Sequence, residues 1–319
     1  MALTIDTVLV KQYGSTLDTL LQLRGGKFVG KSLEDSITGE ERYYDQLDAV
    51  FAAERTAIFG DSPEADVTLG RRKVVATPYE IGLGLDDIEK VQTLVSLEGD
   101  YVNQMVTALN RKRDIEFMTG ALGTAATGKA GAGSATLGAS QTVDVATGST
   151  ASTGFNLSKL AAAREQMQTA NVDLDDPMNK AYIAITPQML HELLEDDKVT
   201  STDYATVKAL VNGSLNSFYG FEFVVSNMLP YMNDAGTAAN LDWNASDVAQ
   251  DDTGANDIRA AFAWVKSGIR TVTNPEIKTQ VAERADKSFN WYAYACLRTG
   301  SVRMEEDKVQ LVPCDQSPA

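Results

Sequence analysis

Histidine, cysteine and basic residues are scarce in this chain, and each shortage removes a class of function. One histidine, His191, and two cysteines, Cys296 and Cys314, leave no ligand set for zinc. The cysteines have no C-x-x-C spacing and cannot form a disulfide framework, so they read as reduced thiols. His191 sits beside Glu192 on an expected helix, with no G-x-S-x-G turn nearby to supply a nucleophile, and reads as a surface or helix-packing residue. The 28 Lys and Arg stand against 44 Asp and Glu, a net charge of −16. That balance excludes an evenly basic, nucleic-acid-wrapping surface. No window approaches the roughly 18 consecutive apolar residues of a membrane span. The opening MALTIDTVLVKQYG carries Asp6 and no basic leader, so it does not read as a secretory signal.

Apolar residues are plentiful at 44%, which excludes global disorder. The 319 residues are about twice the common domain size and predict more than one packing unit. Residues 1–40 look poorly packed: apolar residues thin out after Leu23, and Gly25, Gly26, Gly30 and Gly39 break periodicity. Up to Ser32 this segment holds Lys11, Arg24, Lys27 and Lys31 against Asp6 and Asp18, a locally basic arm in an acidic chain.

Residues 49–84 read as a long hairpin, with runs Ala49–Phe59 and Arg72–Leu83 flanking the turn formers Gly60-Asp61-Ser62-Pro63. The hairpin shows no core face of its own and needs a neighbour to pair with. Asp86 and Glu89 form an acidic capping box. Behind them Ile88, Val91, Val95, Val102, Met105 and Leu109 recur at helical spacing until Gly120. A helix over about 87–119 is about 50 Å long at 1.5 Å per residue, more than one small core covers. Arg111, Lys112 and Arg113 suit its C-terminal dipole or an anion.

The small-residue stretch 119–154 reads as a mobile loop or linker. A second amphipathic helix is expected from Asn156 to about Val172, a buried strand over Tyr182–Ile185, a helix opened by Pro187, and a strand over Phe221–Val225. Residues 230–257 look loop-like and Asp257–Val265 helical, and Glu276–Val281, Phe289–Leu297 and Ser301–Val312 read as strands. Helices and strands in this irregular order predict an α+β fold, not a doubly wound sheet.

Gly25–Ser32 satisfies the phosphate-loop expression G-x-x-x-x-G-K-[ST]. The chemistry needs a buried strand before the loop and a helix after it. Leu17, Leu20, Leu21 and Leu23 lack strand spacing, and Gly39 stops any following helix within about two turns, so the match is weak. Asp173, Asp175 and Asp176 resemble half a calcium loop, but Pro177 follows and the later glycine and glutamate are missing. The aromatics Phe289, Trp291, Tyr292 and Tyr294 have strand spacing and read as a core strand. No catalytic, cofactor or metal constellation emerges. A basic arm, an unsupported hairpin and an overlong helix remain, and they predict a chain completed by copies of itself.

In its order of elements the sequence resembles a tailed-bacteriophage major capsid protein of the Hong Kong ninety-seven fold. The resemblance rests on the hairpin Tyr44–Leu85 feeding Asp86-Asp87-Ile88, the helix end Arg113-Asp114-Ile115-Glu116 and the linker Gly120–Gly128. It continues through Asn156–Leu160, Thr200–Tyr204, Tyr219–Asn227, Asp286-Lys287 and Gly300–Arg303. It implies an N-terminal arm (1–40), an extended β-hairpin loop (41–85), a peripheral domain with a long spine helix (86–199 and 291–319) and an axial domain (200–290). It implies a virion protein assembled in the host cytoplasm, forming hexamers and pentamers around packaged double-stranded DNA. Portal and scaffold or decoration proteins are the further partners, with no membrane and no cofactor.

Under that resemblance Arg55, Arg71, Arg72 and Lys73 of the extended loop are expected to meet acids of an adjacent subunit. Lys11, Arg24, Lys27, Lys31, Arg111, Lys112 and Arg113 are expected to face the lumen and its DNA, or a neighbour. Lys73, the only lysine of the hairpin, lies at its base, so the loop cross-linking of some family members is not expected. The alternatives are a phosphate-loop nucleotide-binding protein using Gly25–Ser32, or another virion component such as a tail or scaffold protein.

Overall fold

The computed structural model describes residues 25–47, 49–52, 54, 67–85, 97–149, 152–195, 217–232, 241–242, 258–274, 278–284, 286 and 290–316. In chain order these hold β1 (Leu33–Ser36), β2 (Glu41–Leu47), β3 (Leu69–Val75), β4 (Thr77–Leu85), α1 (Leu97–Leu122), β5 (Ala125–Thr127) and β6 (Gly133–Ala135). Then follow α2 (Leu157–Thr169), β7 (Ala181–Ile185), α3 (Pro187–Glu195), β8 (Ser217–Phe218), β9 (Phe221–Val225), β10 (Tyr231–Met232) and β11 (Leu241–Asp242). The last strands are β12 (Ile258–Val265), β13 (Ile269–Thr273), β14 (Lys278–Arg284), β15 (Asn290–Arg303) and β16 (Val309–Asp315). The class is α+β, as expected. The chain divides into a smaller compact unit (Met1–Gly25, Pro78–Lys112, Glu276–Arg298) and a larger one (Gly26–Thr77, Arg113–Pro275, Thr299–Ala319).

The larger unit is built around β12. Antiparallel β16 runs along one edge of it, and antiparallel β7 and β10 share the other; β9 continues parallel to β7. All eight residues of β12 are buried, because both of its faces meet apolar layers. Ala261, Ala263 and Val265 face the core of α2 and α3, with Leu160, Met167, Met189 and Leu193. Ile258, Ala260, Phe262 and Trp264 face a second core made by Phe28, Phe117, Met118 and Leu122. Burying side chains of this size stabilises by about 1.5–3 kcal/mol each. The expectation of a helix over Asp257–Val265 is therefore wrong. A strand buried on both faces shows no period-two alternation, and its three alanines mimic helix composition.

A second sheet, in the order β2-β3-β5-β6, is a ribbon extended by two short strands. The partner of β3 is β2, from Glu41 opposite Val75 to Leu47 opposite Leu69. The expected outer arm Ala49–Phe59 is thus misplaced: its described residues 49–52 and 54 are not strand, and the rest lies outside the described residues, as does Gly60–Pro63. The Arg72–Leu83 run is two strands, divided at Ala76, whose N–H donates to the Glu40 carbonyl. A third pairing in the larger unit joins β1 parallel to β13, and β13 antiparallel to Thr299–Arg303 of β15.

In the smaller unit β4 and β14 pair with β15. One side of that sheet packs Tyr79, Ile81, Leu83, Ala293, Ala295 and Leu297 against Met105 and Leu109 of α1. Helical spacing of those two residues identified this stripe in the sequence. The expected helix start at Asp86 and Glu89 lies outside the described residues.

Several boundaries differ from expectation for identifiable reasons. Helix α1 passes Gly120 and ends at Leu122. Gly120 does not stop the helix; a Cβ there would collide with the Ser301 backbone. The stretch 119–154 is not a free linker, since Ala125, Leu137 and Val143 are buried and the Val143 N–H donates to the Leu311 carbonyl. The run Ser301–Val312 is interrupted by a turn at Glu306–Lys308, and β13 was not anticipated. From Gly26 to Ile37 the expected loose arm is packed, with Phe28 and Ile37 in cores. Asn156 caps α2 as expected, its side chain accepting from the Lys159 N–H at 2.8 Å.

Candidate functional site

The ribbon β2–β3 carries three of the cations expected at an interface, and strand alternation sorts them onto two faces. On the outer face Tyr43 stands opposite Lys73, Asp45 opposite Arg71, and Leu47 opposite Leu69. Arg71 donates through Nε to Asp45 at 2.5 Å and lies 5.7 Å from the Tyr43 ring centroid. Lys73 pairs with Glu41. These pairs hold both carboxyls below their ordinary range, chiefly through the hydrogen bonds from Lys73 to Glu41 and from Arg71 to Asp45. Beyond this ladder the ribbon becomes apolar and exposed: Leu47 is 72% and Leu69 73% accessible, and Phe51, just past β2, is 88% accessible.

Arg72 points the other way. It is buried, donates through Nη2 to both carboxylate oxygens of Glu306 at 2.7 and 2.8 Å, and donates through Nε to the Met304 carbonyl at 2.9 Å. The Glu306 carboxylate also lies 3.7 Å from Arg303 Nε. Arg303 is completely buried and donates to the carbonyls of Ala121 (2.6 Å), Gly123 (3.0 Å) and Ala135 (3.0 Å). It thereby takes up the orphan carbonyls at the end of α1. Burial pulls its pKa down to about 10, against the opposing pull of Glu306. Tyr44, buried opposite Arg72 on the same face of the ribbon, has two guanidinium groups near its ring, Arg42 at 5.2 Å and Arg270 at 4.6 Å from the centroid, and its hydroxyl donates to Asp35 at 2.8 Å. Burial, then that bond, push the phenol to about 12.

All three described loop cations thus have acidic partners in their own chain. Arg55 lies outside the described residues, as do Lys11 and Arg24. Lys27 donates through Nζ to the Val225 carbonyl at 2.6 Å, Lys31 lies 5.5 Å from the Tyr182 ring centroid, and Arg113 pairs with Glu34 at 3.2 Å. Lys112 lies 4.9 Å from the Tyr79 ring centroid, and Arg111 is half-buried.

The phosphate-loop match is overturned by its own amides. The N–H groups of Gly26 and Lys27 donate to Asp114 Oδ2 at 2.7 and 3.2 Å, and that of Phe28 to Oδ1 at 3.5 Å. The cradle that would hold a phosphate is filled by a carboxylate from α1. Burial raises the Asp114 carboxyl, and the three amides partly offset that rise. A strand, β1, follows the loop where a phosphate site needs a helix. Trp264 closes it further by donating through Nε1 to the Lys31 carbonyl at 2.9 Å.

His191 is exposed and lies 3.3 Å from Glu195 on the same helix. Both cysteines are free; Cys314 is buried, and burial pushes its thiol to about 12. Among the described residues no group of three His, Cys, Asp or Glu side chains is placed to hold a metal ion, and no helix is long and apolar enough to cross a membrane. The sequence reading assigned no role to Asp114, Arg303 or Tyr44. For Tyr44 and Arg72 a signal existed, since period two around Arg71 already puts Arg72 on the opposite face.

A sequence model described as phage capsid protein matches residues 5–316. No curated protein matches the sequence at a significant level. Solved structures similar to the fold include one from Mycobacterium phage Che8, 16% identical, with 96% of this chain and 97% of that chain covered and a TM-score of 0.64. The capsid structure of the cyanophage P-SCSP1u is 17% identical, with coverages of 97% and 94% and a TM-score of 0.69. An acid-stable capsid structure of Helicobacter pylori bacteriophage KHP30 is 10% identical, with coverages of 98% and 97% and a TM-score of 0.70. These likenesses give the fold, the Hong Kong ninety-seven type of tailed-phage capsids, over nearly the whole chain.

Proposed function

This chain belongs to the phage capsid protein family, and from that premise we propose that it closes an icosahedral head shell as hexamers and pentamers around double-stranded DNA. Its role is structural and not enzymatic, and its place is the virion. The observation that carries the proposal is the family match over residues 5–316, joined to a fold shared with phage capsids along nearly its full length.

The ribbon supports self-assembly. Its inner face is tied down by Arg72 and Tyr44, while its outer end presents Leu47, Leu69 and Phe51 to solvent. An exposed apolar end on an otherwise charged ribbon fits burial against another subunit. We assign 41–85 to the extended loop and 1–40 to the arm. The peripheral domain takes 86–199 and 291–319, and the axial domain 200–290. Strands β9 and β12 of the 200–290 segment pair with β7 and β16 of the peripheral segments, so under this assignment the two domains share one sheet.

The outer-face cations Arg71 and Lys73 then act at the interface as a pre-ordered ladder of pairs, and Arg72 acts by holding the ribbon. Arg55 would meet an acid of the adjacent copy. The basic residues Lys11, Arg24, Lys27, Lys31, Arg111, Lys112 and Arg113 serve the lumen or a neighbour. Packaged DNA needs no strongly basic wall, because its charge is met by counterions. A portal and a scaffold or decoration protein complete the partners. Expression of the full chain followed by negative-stain imaging tests this. Closed particles are the expected result; tubes, or subunits that never associate at any concentration, would refute it.

A further inference from the structure

Strands β8 and β9 are joined by a two-residue loop, with Phe218 opposite Phe221 across the turn. Both loop residues, Tyr219 and Gly220, have left-handed backbone, with φ of 51° and 85°. That is the pattern of a type I′ turn, which favours Asn-Gly. A bulky L-residue is disfavoured in this region because its Cβ crowds the following carbonyl. Tyr219 gains little burial in return, since it is 48% accessible.

Arg164 of α2 holds the turn. It donates through Nη1 to the Tyr219 carbonyl at 2.6 Å, its guanidinium lies 5.4 Å from the Tyr219 ring centroid, and Nη2 reaches Asp175 at 3.5 Å. Gly220 suits its φ of 85°, and a Cβ there would also push the Arg164 guanidinium aside. Tyr219 helps line an open cavity of about 790 Å³, with Leu174, Pro177 and Phe218 among its apolar walls and Asp175 and Glu222 among its acids.

Asn-Gly would make the same turn with less strain, and within the subunit the Tyr219 ring meets the Arg164 guanidinium while staying half exposed. We propose that Tyr219, held out by Arg164, is a contact residue for a second copy of this chain, which seats against the ring and the adjoining cavity. This rests on the shell reading above, in which like chains are the partners that cover each subunit. Tyrosine suits such an anchor, offering a large amphipathic contact area with few rotamers to freeze. Lys180 also lines the cavity and pairs with Glu222 at 3.6 Å, and Asp175 meets Arg164, so the rim is of mixed charge and the apolar walls with the Tyr219 ring are what the incoming copy would cover.

The test separates a contact residue from a structural one by the sign of two effects. Tyr219→Asn places a residue suited to this turn, so the unfolding midpoint of the unassembled full chain should stay level or rise by about 2 °C. Self-association, followed by sedimentation velocity and negative-stain imaging, should weaken by about tenfold or more. Arg164→Gln keeps the ring but frees the turn. It should weaken association less, and it should add nothing further when combined with Tyr219→Asn. Association of Tyr219→Asn equal to that of the unsubstituted chain would overturn the proposal, as would a lowered midpoint in the unassembled state. Failure of the unsubstituted chain to self-associate would instead refute the shell reading and this inference with it.

Discussion

β12 and β2 stand for two regions of the larger unit with opposite relations to solvent. Every residue of β12 is buried, between α2 and α3 on one side and Phe28 with the end of α1 on the other. β2 alternates, with Tyr44 in the core and Glu41, Tyr43, Asp45 and Leu47 exposed. β12 therefore finds all its packing partners within one chain, while the ribbon finds them on one face only. On the shell reading proposed above, this separates what makes the subunit fold from what makes subunits meet.

The sharpest way to break the comparison is Trp264→Ala. It empties the second core of its largest side chain and is expected to cost about 3–5 kcal/mol in denaturant unfolding of the unassembled chain. A loss under about 1 kcal/mol would show that the central sheet is not the stabilising region. Next comes Arg72→Ala, which takes from Glu306 its two short hydrogen bonds and from the Met304 carbonyl one of its two donors, Gln46 remaining, and is expected to cost about 2–3 kcal/mol. Arg72→Lys should recover only part of this, because an ammonium cannot reproduce the forked contacts. Full recovery by lysine would reduce the anchor to a point charge.

Asp114→Ala leaves the amides of Gly26, Lys27 and Phe28 without their acceptor, with an expected cost of about 1–3 kcal/mol. Asp114 and Asp35 should also respond to pH in opposite senses. Asp114 has a folded pKa above its ordinary 3.8. The folded state therefore holds an extra proton between 3.8 and that raised value, and its contribution falls as pH rises through the window. Asp35 has a lowered folded pKa; burial raises it, but the hydrogen bonds of Tyr44 and Arg270 outweigh burial. Its contribution is present above 3.8 and is lost as pH falls through the lower folded value. Stability against pH for Asp114→Asn and Asp35→Asn, each subtracted from the parent, should give slopes of opposite sign.

The smallest effects on the subunit are expected on the ribbon's outer face. Asp45→Ala removes an exposed pair and should leave unfolding of the unassembled chain unchanged within error. Leu47→Ser with Leu69→Ser should likewise spare the subunit while lowering particle yield. A double variant that unfolds the subunit would mean that this end is internal packing.

The parts of the fold that were legible in the sequence were a one-sided helical stripe, a helix cap and two short apolar runs, one of which, β7, is buried on both faces. Met105 and Leu109 revealed α1, Asn156 announced the start of α2, and Tyr182–Ile185 and Phe221–Val225 showed as short apolar strands. What stayed hidden depended on contacts between distant segments. β12 lost its alternation because both faces are covered. Gly120 looked like a stop because the strand pressing on it is 181 residues away in sequence, at Ser301. The loop at Gly26–Phe28 matched a phosphate motif because a buried carboxylate and a phosphate are cradled by the same amide geometry. Arg72 was grouped with Arg71 and Lys73 by adjacency, whereas strand alternation separates them.

Amide hydrogen exchange compared between unassembled subunits and closed particles tests the division between the two regions most directly. β12 should be strongly protected in both states, while β2 and β3 should gain protection only in particles. Equal protection of the ribbon in lone subunits and in particles would contradict the claim that copies of the chain complete it.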